Sequence, residues 1–275
     1  MSIANNAIGN FTVKEVLTLN STETIGYAVD QMIKHRFRRF PVLDKEKNLF
    51  GIITATDVVR ELYNKGTVDI FKEKLETIIT KDPSTLVASD TIQSAIKLMY
   101  ESGISGLPIM QSNNMIGLFT EKDIIMLDDL WFSLPDGMIT HDEGIGRVID
   151  SDHMITEDFT LWQAIDKMIQ LGQRQILIQN REGTQLLGLL TVLRLLEFIF
   201  SQLIIDDREI SILHNTSVGE LPNFPVLQKS TPVLVNSVRL WMNARGIEAV
   251  PLFHMGKPVK LVTEKDLVAF IVNQL

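Results

Sequence analysis

The segment AIKLMYESGISGLPIMQ, residues 95–111, decides the fold, because its pattern occurs four times along the chain. Within it, Met99 follows an alanine by four residues, and Pro108 follows Met99 by nine. Leu177 stands at the proline position of the third copy. A recurring spacing of this kind indicates a repeat architecture. The other copies are AVDQMIKHRFRRFPVLD (28–44), AIDKMIQLGQRQILIQN (164–180) and VRLWMNARGIEAVPLFH (238–254).

Each copy begins a unit of the order helix, strand, strand, helix. Apolar residues at helical spacing, such as Ile25, Ala28, Val29 and Met32, predict the first helix. A strand starting at the proline, a polar turn and a second apolar run ending in threonine follow, and then a second helical pattern. One such unit is too small to bury a sheet face alone, so we expect units to pair. The four threonines are Thr54, Thr120, Thr191 and Thr263.

Composition restricts the classes of function. The chain has 275 residues, 45% of them hydrophobic, a net charge of −8 and no cysteine. The missing cysteines exclude disulfides, thiol catalysis and the commonest zinc sites, and are compatible with the cytoplasmic location we expect. The negative charge argues against nucleic-acid binding, although residues 35–39 form a local basic cluster. The N-terminus does not have the pattern of a signal peptide.

The longest apolar tract, residues 186–205, has the length of a membrane span. Arg194 and Glu197 lie inside it, and each charge would be costly in the middle of a bilayer. The tract therefore predicts a buried strand that runs directly into a buried helix.

At each threonine a predicted strand leads into a predicted helix, and in three repeats an aspartate follows three residues later. One interpretation is a helix-capping box, which needs no ligand. The other is a repeated ligand site, because a helix N-terminus attracts an anion and an aspartate can accept hydrogen bonds from a ribose diol. The third repeat has Arg194 instead of the acid. The three pairs are Thr54 with Asp57, Thr120 with Asp123, and Thr263 with Asp266.

The combination of lead-in strand, Ala…Met helix, R-x-P-V strand, G-h-h-T-x-x-D junction and closing helix resembles the CBS domain. The resemblance covers nearly the whole chain. It implies an α+β fold whose four repeats pair through their sheets into two CBS-pair modules forming a disc, similar to the gamma subunit of AMP-activated protein kinase and to stand-alone prokaryotic CBS proteins. The repeats are placed at 12–65, 75–130, 146–204 and 215–275, with a linker at 131–145.

The resemblance also implies a ligand, namely AMP, ADP or ATP held in clefts between repeats. In the family the junction threonine and aspartate commonly hold the phosphate and ribose. Arginines near the first strand often reach the phosphates, which makes Arg38, Arg39 and Arg174 candidates, and Arg194 a candidate for a neighbouring cleft. Lys260 replaces the junction glycine of the other repeats, and for it an ordinary exposed position is favoured over an extra contact with the phosphate. Apolar lead-in residues are candidates for an adenine slot: Val16, Leu17, Leu19, Leu86, Val87, Val226 and Leu227.

The expected function is regulatory, an energy sensor that binds adenine nucleotides and is not an enzyme. The sequence has no P-loop, no dinucleotide fingerprint and no nucleophile elbow. Acids and histidines at 141–153 favour a solvated linker over a metal site. Two alternatives stay open: an interaction module with empty clefts, or a binder of another adenosyl ligand, such as S-adenosylmethionine or an RNA 3′ end. The expected partners are an adenine nucleotide and a regulated protein, with a second copy of the chain, in a homodimer, as an alternative partner.

Overall fold

The structure is a computed structural model that describes residues 3–12, 15–205, 210–221 and 226–275. In the described residues every repeat has a lead-in strand, a first helix, a hairpin and a closing helix, as the sequence predicts. Repeat 1 comprises β1 (Leu19–Asn20), α1 (Ile25–His35), β2 (Arg39–Leu43), β3 (Leu49–Thr54) and α2 (Ala55–Lys65), and β4 (Thr80–Lys81) follows it. Repeat 2 comprises β5 (Leu86–Val87), α3 (Ile92–Ser102), β6 (Gly106–Gln111), β7 (Asn114–Thr120) and α4 (Glu121–Met126), followed by α5 (Asp128–Phe132).

The second half of the chain repeats this order. The predicted linker contains β8 (Met138–Ile139), and β9 (Arg147–Val148) comes directly after it. Repeat 3 comprises β10 (Met154–Thr156), α6 (Leu161–Gln170), β11 (Gln175–Gln179), β12 (Leu186–Thr191) and α7 (Val192–Ile205), followed by α8 (Ser211–Asn215). Repeat 4 comprises β13 (Lys229–Ser230), β14 (Val233–Leu234), α9 (Val235–Arg245), β15 (Ala249–His254), β16 (Lys257–Thr263) and α10 (Glu264–Val272).

Sheet register is the same in all four repeats. The lead-in strand pairs in parallel with the first hairpin strand, and the two hairpin strands pair antiparallel. The threonine that ends each hairpin therefore lies opposite the residue that begins it, and the two side chains share one face of the sheet. These opposed pairs are Arg39 with Thr54, Gly106 with Thr120, Gln175 with Thr191, and Ala249 with Thr263.

The chain forms two compact units, each built from alternate repeats. The odd-repeat unit, which holds repeats 1 and 3, comprises Leu17–Asp82 and Asp150–Val226; the even-repeat unit, which holds repeats 2 and 4, comprises Met1–Val16, Pro83–Ile149 and Leu227–Leu275. In the odd-repeat unit α7 packs on α1 and α2, and in the even-repeat unit α10 packs on α3 and α4. Each unit has its own apolar core. The predicted pairing of consecutive repeats through their sheets stays a prediction.

A connecting segment lies across the start of each first helix, and we call these four segments straps 1 to 4, for repeats 1 to 4. They are residues 68–81, 3–11, 211–221 and 137–149 respectively. Each strap accepts the first backbone N–H of the helix through one carbonyl, so a donor that a helix end would leave unpaired is satisfied. The bonds are Ile25 to Glu73 at 2.8 Å, Ile92 to Asn6 at 3.1 Å, Leu161 to Thr216 at 3.0 Å, and Val235 to Gly137 at 2.8 Å.

Strap 1 approaches α1 so closely that Gly26 has no room for a side chain. A Cβ at Gly26 would lie 2.8 Å from the backbone oxygen of Phe71. A glycine-to-alanine change in an open helix stabilises by about 0.5–1 kcal/mol. We expect Gly26→Ala to destabilise instead, by about 1–3 kcal/mol, because strap 1 must move.

Urea unfolding is the measurement for Gly26→Ala. Gln93 occupies the same position of α3, where a long side chain is already accommodated, so Gln93→Ala is the matched control and should change the urea midpoint little. A Gly26→Ala protein more stable than the wild type would contradict the tight contact with strap 1.

The long apolar tract forms β12 and α7, which confirms the buried strand and helix predicted there. Leu190, Leu195 and Leu196 are fully buried in the core of the odd-repeat unit. Within the described part of the chain, every helix is too short or too polar to cross a bilayer.

Candidate functional site

The Thr-x-x-Asp junctions form three capping boxes of almost identical geometry. In each, the aspartate Oδ2 accepts from the backbone N–H and from the hydroxyl of the threonine, and the threonine Oγ1 accepts the aspartate N–H. The backbone N–H to Oδ2 distances are 2.9 Å for Thr54 to Asp57, 2.7 Å for Thr120 to Asp123 and 2.8 Å for Thr263 to Asp266. The hydroxyl to Oδ2 distance is 2.6 Å in all three.

A second backbone bond recurs at every junction. The first amide of each closing helix donates to the carbonyl of the residue three before the proline position. The distances are 2.9 Å from Ala55 to Arg38, 3.2 Å from Glu121 to Ser105, 3.0 Å from Val192 to Arg174, and 3.2 Å from Glu264 to Glu248.

These bonds change what each junction offers a ligand. At the first, second and fourth junctions the closing helix does not present a row of unpaired amides, because its first and third amides and the amide of the N-cap threonine already have acceptors. The threonine hydroxyl donates to its aspartate and so fixes that carboxylate, and the predicted contact of Thr54, Thr120 and Thr263 with a nucleotide stays a prediction. The other carboxylate oxygen of Asp57, Oδ1, takes no part in the capping box and can accept hydrogen bonds from a diol. It lies 3.6 Å from Arg60 Nη1.

The third junction departs from the others, as its sequence indicates. Thr191 Oγ1 still accepts the Arg194 amide at 3.3 Å, so the cap survives without the acid. The Arg194 guanidinium donates to Glu197 Oε2 at 3.2 Å, and Arg36 of repeat 1 donates to the same oxygen at 2.8 Å. Arg194 is thus engaged within the odd-repeat unit, and its predicted phosphate contact stays a prediction.

The candidate arginines of repeats 1 and 3 flank their junctions. Arg39 lies directly opposite Thr54 in the hairpin register, so its side chain leaves the sheet on the face of that threonine. Arg38 and Arg174 are partly buried, and their carbonyls accept the first amides of α2 and α7. The structure therefore brings Arg38, Arg39 and Arg174 to the ends of the hairpins at which the junctions lie.

The lead-in residues differ in how far their side chains are exposed. Leu19 is 5% exposed and belongs to the core, whereas Leu17 and Val87 are 46% and 50% exposed. Val16, Leu86, Val226 and Leu227 are partly buried. Leu17 and Val87 are the lead-in side chains most accessible to a base, and their place in an adenine slot stays a prediction.

Lys260 is not an exposed residue, and the expectation for it is wrong. It is 2% exposed, and its Nζ donates to the carbonyls of Glu143 at 2.7 Å and Gly144 at 3.1 Å. Burial lowers the pKa of the Lys260 ammonium, and the charges of Asp142 and Glu143 oppose that shift. The lysine holds strap 4, a contact between distant segments that spacing within one repeat does not reveal.

The acids and histidines around the predicted linker do not assemble a metal site in the described residues, where no group of three or more suitable ligands converges. His141 stacks on His254 with ring centroids 4.3 Å apart, and His141 Nε2 lies 2.7 Å from Asp142. The stacking on His254 joins strap 4 to repeat 4, whereas the contact with Asp142 lies within the strap.

Comparison with known proteins places these repeats in a family. The model described as the CBS domain matches residues 8–64, 75–128 and 145–201. The chain therefore belongs to the CBS domain family. Repeat 4 lies outside these matches and shows the same order of elements in the structure.

Among individual relatives, the uncharacterized protein MJ1225 of Methanocaldococcus jannaschii is 24% identical over 278 residues, covering 94% of this chain and 95% of that protein. Its crystal structure, described as that of a proposed archaeal homologue of γ-AMPK, matches with a TM-score of 0.80 at 22% identity, over 96% of this chain and 99% of that one. A conserved protein of Pyrococcus horikoshii matches with a TM-score of 0.62 at 20% identity, over 97% of this chain and all of that one. At these identities the structural matches establish the fold alone.

A match of a different kind links the chain to an enzyme. Inosine-5′-monophosphate dehydrogenase of M. jannaschii is 33% identical over 114 residues, which are 41% of this chain and 22% of the dehydrogenase. Because this chain spans less than a quarter of that enzyme, the match carries no catalytic activity over to it.

Proposed function

We propose that this protein is a cytoplasmic, non-catalytic regulator that binds adenine nucleotides, AMP, ADP or ATP, at its first, second and fourth junctions. The observation that carries the proposal is the repetition of one carboxylate, held by the same three hydrogen bonds, at the start of three closing helices. A fixed carboxylate loses little conformational entropy when it accepts hydrogen bonds from a ribose diol.

The arginines supply the matching charge. Arg39 shares a sheet face with Thr54, and forked contacts from a guanidinium suit a phosphate. The chain as a whole has a net charge of −8 and therefore repels anions. Local cations such as these arginines would be needed to attract an anionic ligand.

Regulation would work through linkage. A nucleotide that binds one conformation of the protein more tightly shifts the population toward it, and a protein partner that prefers that conformation then binds more tightly as well. Homodimerisation would provide such a partner surface and is an outcome to measure alongside ligand binding.

Thermal unfolding with increasing AMP, ADP, ATP and adenosine tests the proposal. A ligand that binds only the folded state at about 100 times its Kd adds about 2.7 kcal/mol, so the unfolding temperature should rise with ligand concentration. Inorganic phosphate at equal concentration is the control for general anion effects. No rise with any adenine nucleotide would overturn the proposal.

One observation favours a second candidate, an interaction module without ligand. All three capping boxes are complete in the protein alone, so helix capping by itself explains the Thr-x-x-Asp pairs. The same thermal unfolding experiment should include S-adenosylmethionine and a short RNA. An unfolding temperature that rises with one of these, and not with AMP, ADP or ATP, would identify that compound as the ligand.

A further inference from the structure

Strap 4 brings a charged residue to the fourth junction. Its strand β9 pairs antiparallel with β16, with Arg147 opposite Leu261 and Val148 opposite Lys260. Side chains two residues apart on a strand share a face, so Arg147 lies on the same face as Thr263, as its diagonal neighbour at about 7–8 Å. All of these residues belong to the even-repeat unit.

The position of Arg147 is fixed by the turn that precedes it. Lys260 binds the carbonyls of Glu143 and Gly144, and Gly144 has a φ of 88°, which favours glycine. A Cβ at Gly146 would lie 2.8 Å from Val262 Cγ2, so this turn packs directly on β16. A buried ammonium and two tightly packed glycines therefore hold the strap in one register.

Among the described residues, Arg147 has no close counter-ion. It is partly buried, and the described part of the chain places no carboxylate within 4.0 Å of its guanidinium. Burial lowers the pKa of Arg147, and the field of the Asp266 carboxylate opposes that shift. An anion arriving beside Asp266 would compensate the lost hydration of the guanidinium.

The first repeat provides an internal comparison. Its strap strand β4 pairs with β3 in the same register, with Thr80 opposite Ile52 and Lys81 opposite Gly51. Thr80 of repeat 1 is therefore equivalent to Arg147 of repeat 4 and carries no charge. Gly51 is equivalent to the buried Lys260, so repeat 1 has neither of the two cations.

We propose that Arg147 recognises the phosphate of the nucleotide at the fourth junction, and that Lys260 is the residue that positions it. The inference rests on the proposed function and deepens it: Asp266 would bind the ribose and Arg147 the phosphate. The fourth junction would then select phosphorylated nucleosides over the bare nucleoside.

Calorimetric titration with adenosine and with AMP tests this division. The background is Asp57→Glu with Asp123→Glu, in which the first and second junctions keep capping boxes but lose the ribose contact, leaving the fourth junction to bind. We expect Arg147→Gln to weaken AMP about tenfold or more, since a guanidinium–phosphate contact is a strong charge-assisted pair, and to leave adenosine within about twofold. Arg147→Lys should recover part of the AMP affinity.

Lys260→Met tests the positioning role, because it fills the buried space without donating to strap 4. It should weaken AMP more than adenosine, whereas a general loss of structure would weaken both alike. One result would contradict the role of Arg147 and still support the proposed function. In it, Asp266→Ala abolishes AMP binding, whereas Arg147→Gln binds AMP as tightly as the Asp57→Glu, Asp123→Glu background. If neither adenosine nor AMP binds the wild type, both fall.

Discussion

Replacing Asp57, Asp123 and Asp266 together by alanine is expected to abolish adenine-nucleotide binding. Each alanine removes a charged acceptor of two ribose hydrogen bonds, and one such bond contributes about 1.5–3 kcal/mol, so affinity at each junction should fall about 100-fold or more. The same change removes three capping boxes at about 1 kcal/mol each, so the protein should also lose stability. Calorimetric titration and urea unfolding measure the two effects on the same samples.

Asp→Glu substitutions at positions 57, 123 and 266 separate ligand binding from capping. Glutamate is a standard third residue of a capping box, so the three helices keep their caps and unfolding should change by less than about 1 kcal/mol. The longer side chain moves the second carboxylate oxygen away from the diol, and nucleotide affinity should still fall at least tenfold. Wild-type nucleotide affinity in the triple glutamate variant would show that the carboxylates only cap helices.

Among single substitutions, replacing Arg239 by alanine is expected to cause the largest loss of stability, about 3–4 kcal/mol. The side chain is 0% exposed and its Nη1 donates to the carbonyl of Ile125 at 2.9 Å and to Asp128 at 2.7 Å. Its guanidinium also lies 5.5 Å from the centre of the Trp131 ring. Alanine would leave a cavity between α9, α4 and α5. The buried carbonyl of Ile125 would also lose the hydrogen bond from Arg239 Nη1.

Tryptophan fluorescence can follow urea unfolding of the even-repeat unit alone. The chain has three tryptophans, and in a Trp162→Phe background the remaining two, Trp131 and Trp241, both lie in the even-repeat unit.

Two control variants accompany Arg239→Ala in this urea unfolding experiment. Asp128→Asn should cost less than about 1 kcal/mol, because the Asp128 side chain is 58% exposed.

The second control, Arg239→Met, fills the volume and removes Nη2, which has no hydrogen-bond partner among the described residues. It should therefore cost less than Arg239→Ala. Equal losses for alanine and methionine would show that the hydrogen bonds, and not the packing, hold α9 in place.

The repeated elements are what the sequence could predict. The Ala…Met spacing and the proline nine residues later are local patterns, and local patterns determine helices, hairpins and the Thr-x-x-Asp junctions. The capping boxes follow for the same reason, since Thr54 and Asp57 are three residues apart on one helical turn.

The straps and the pairing of alternate repeats could not be predicted in this way. The contact of Lys260 with Glu143 spans 117 positions, and that of Arg239 with Ile125 spans 114. Neither partner carries a sequence signal, because the acceptor is a backbone carbonyl in both cases. Arg147 was missed for a related reason: it belongs to a segment between repeats and reaches the fourth junction only through the pairing of β9 with β16.

Native mass spectrometry of the wild-type protein with added AMP tests the central claim most directly, because it counts bound molecules on the intact chain. We expect discrete species with one or more AMP, and at an AMP concentration near the wild-type Kd these species should be strongly reduced in the triple glutamate variant, as a fall of at least tenfold in affinity requires. A wild-type spectrum that contains only unliganded protein, or identical AMP adducts on both proteins, would contradict the claim that the junction carboxylates bind a nucleotide.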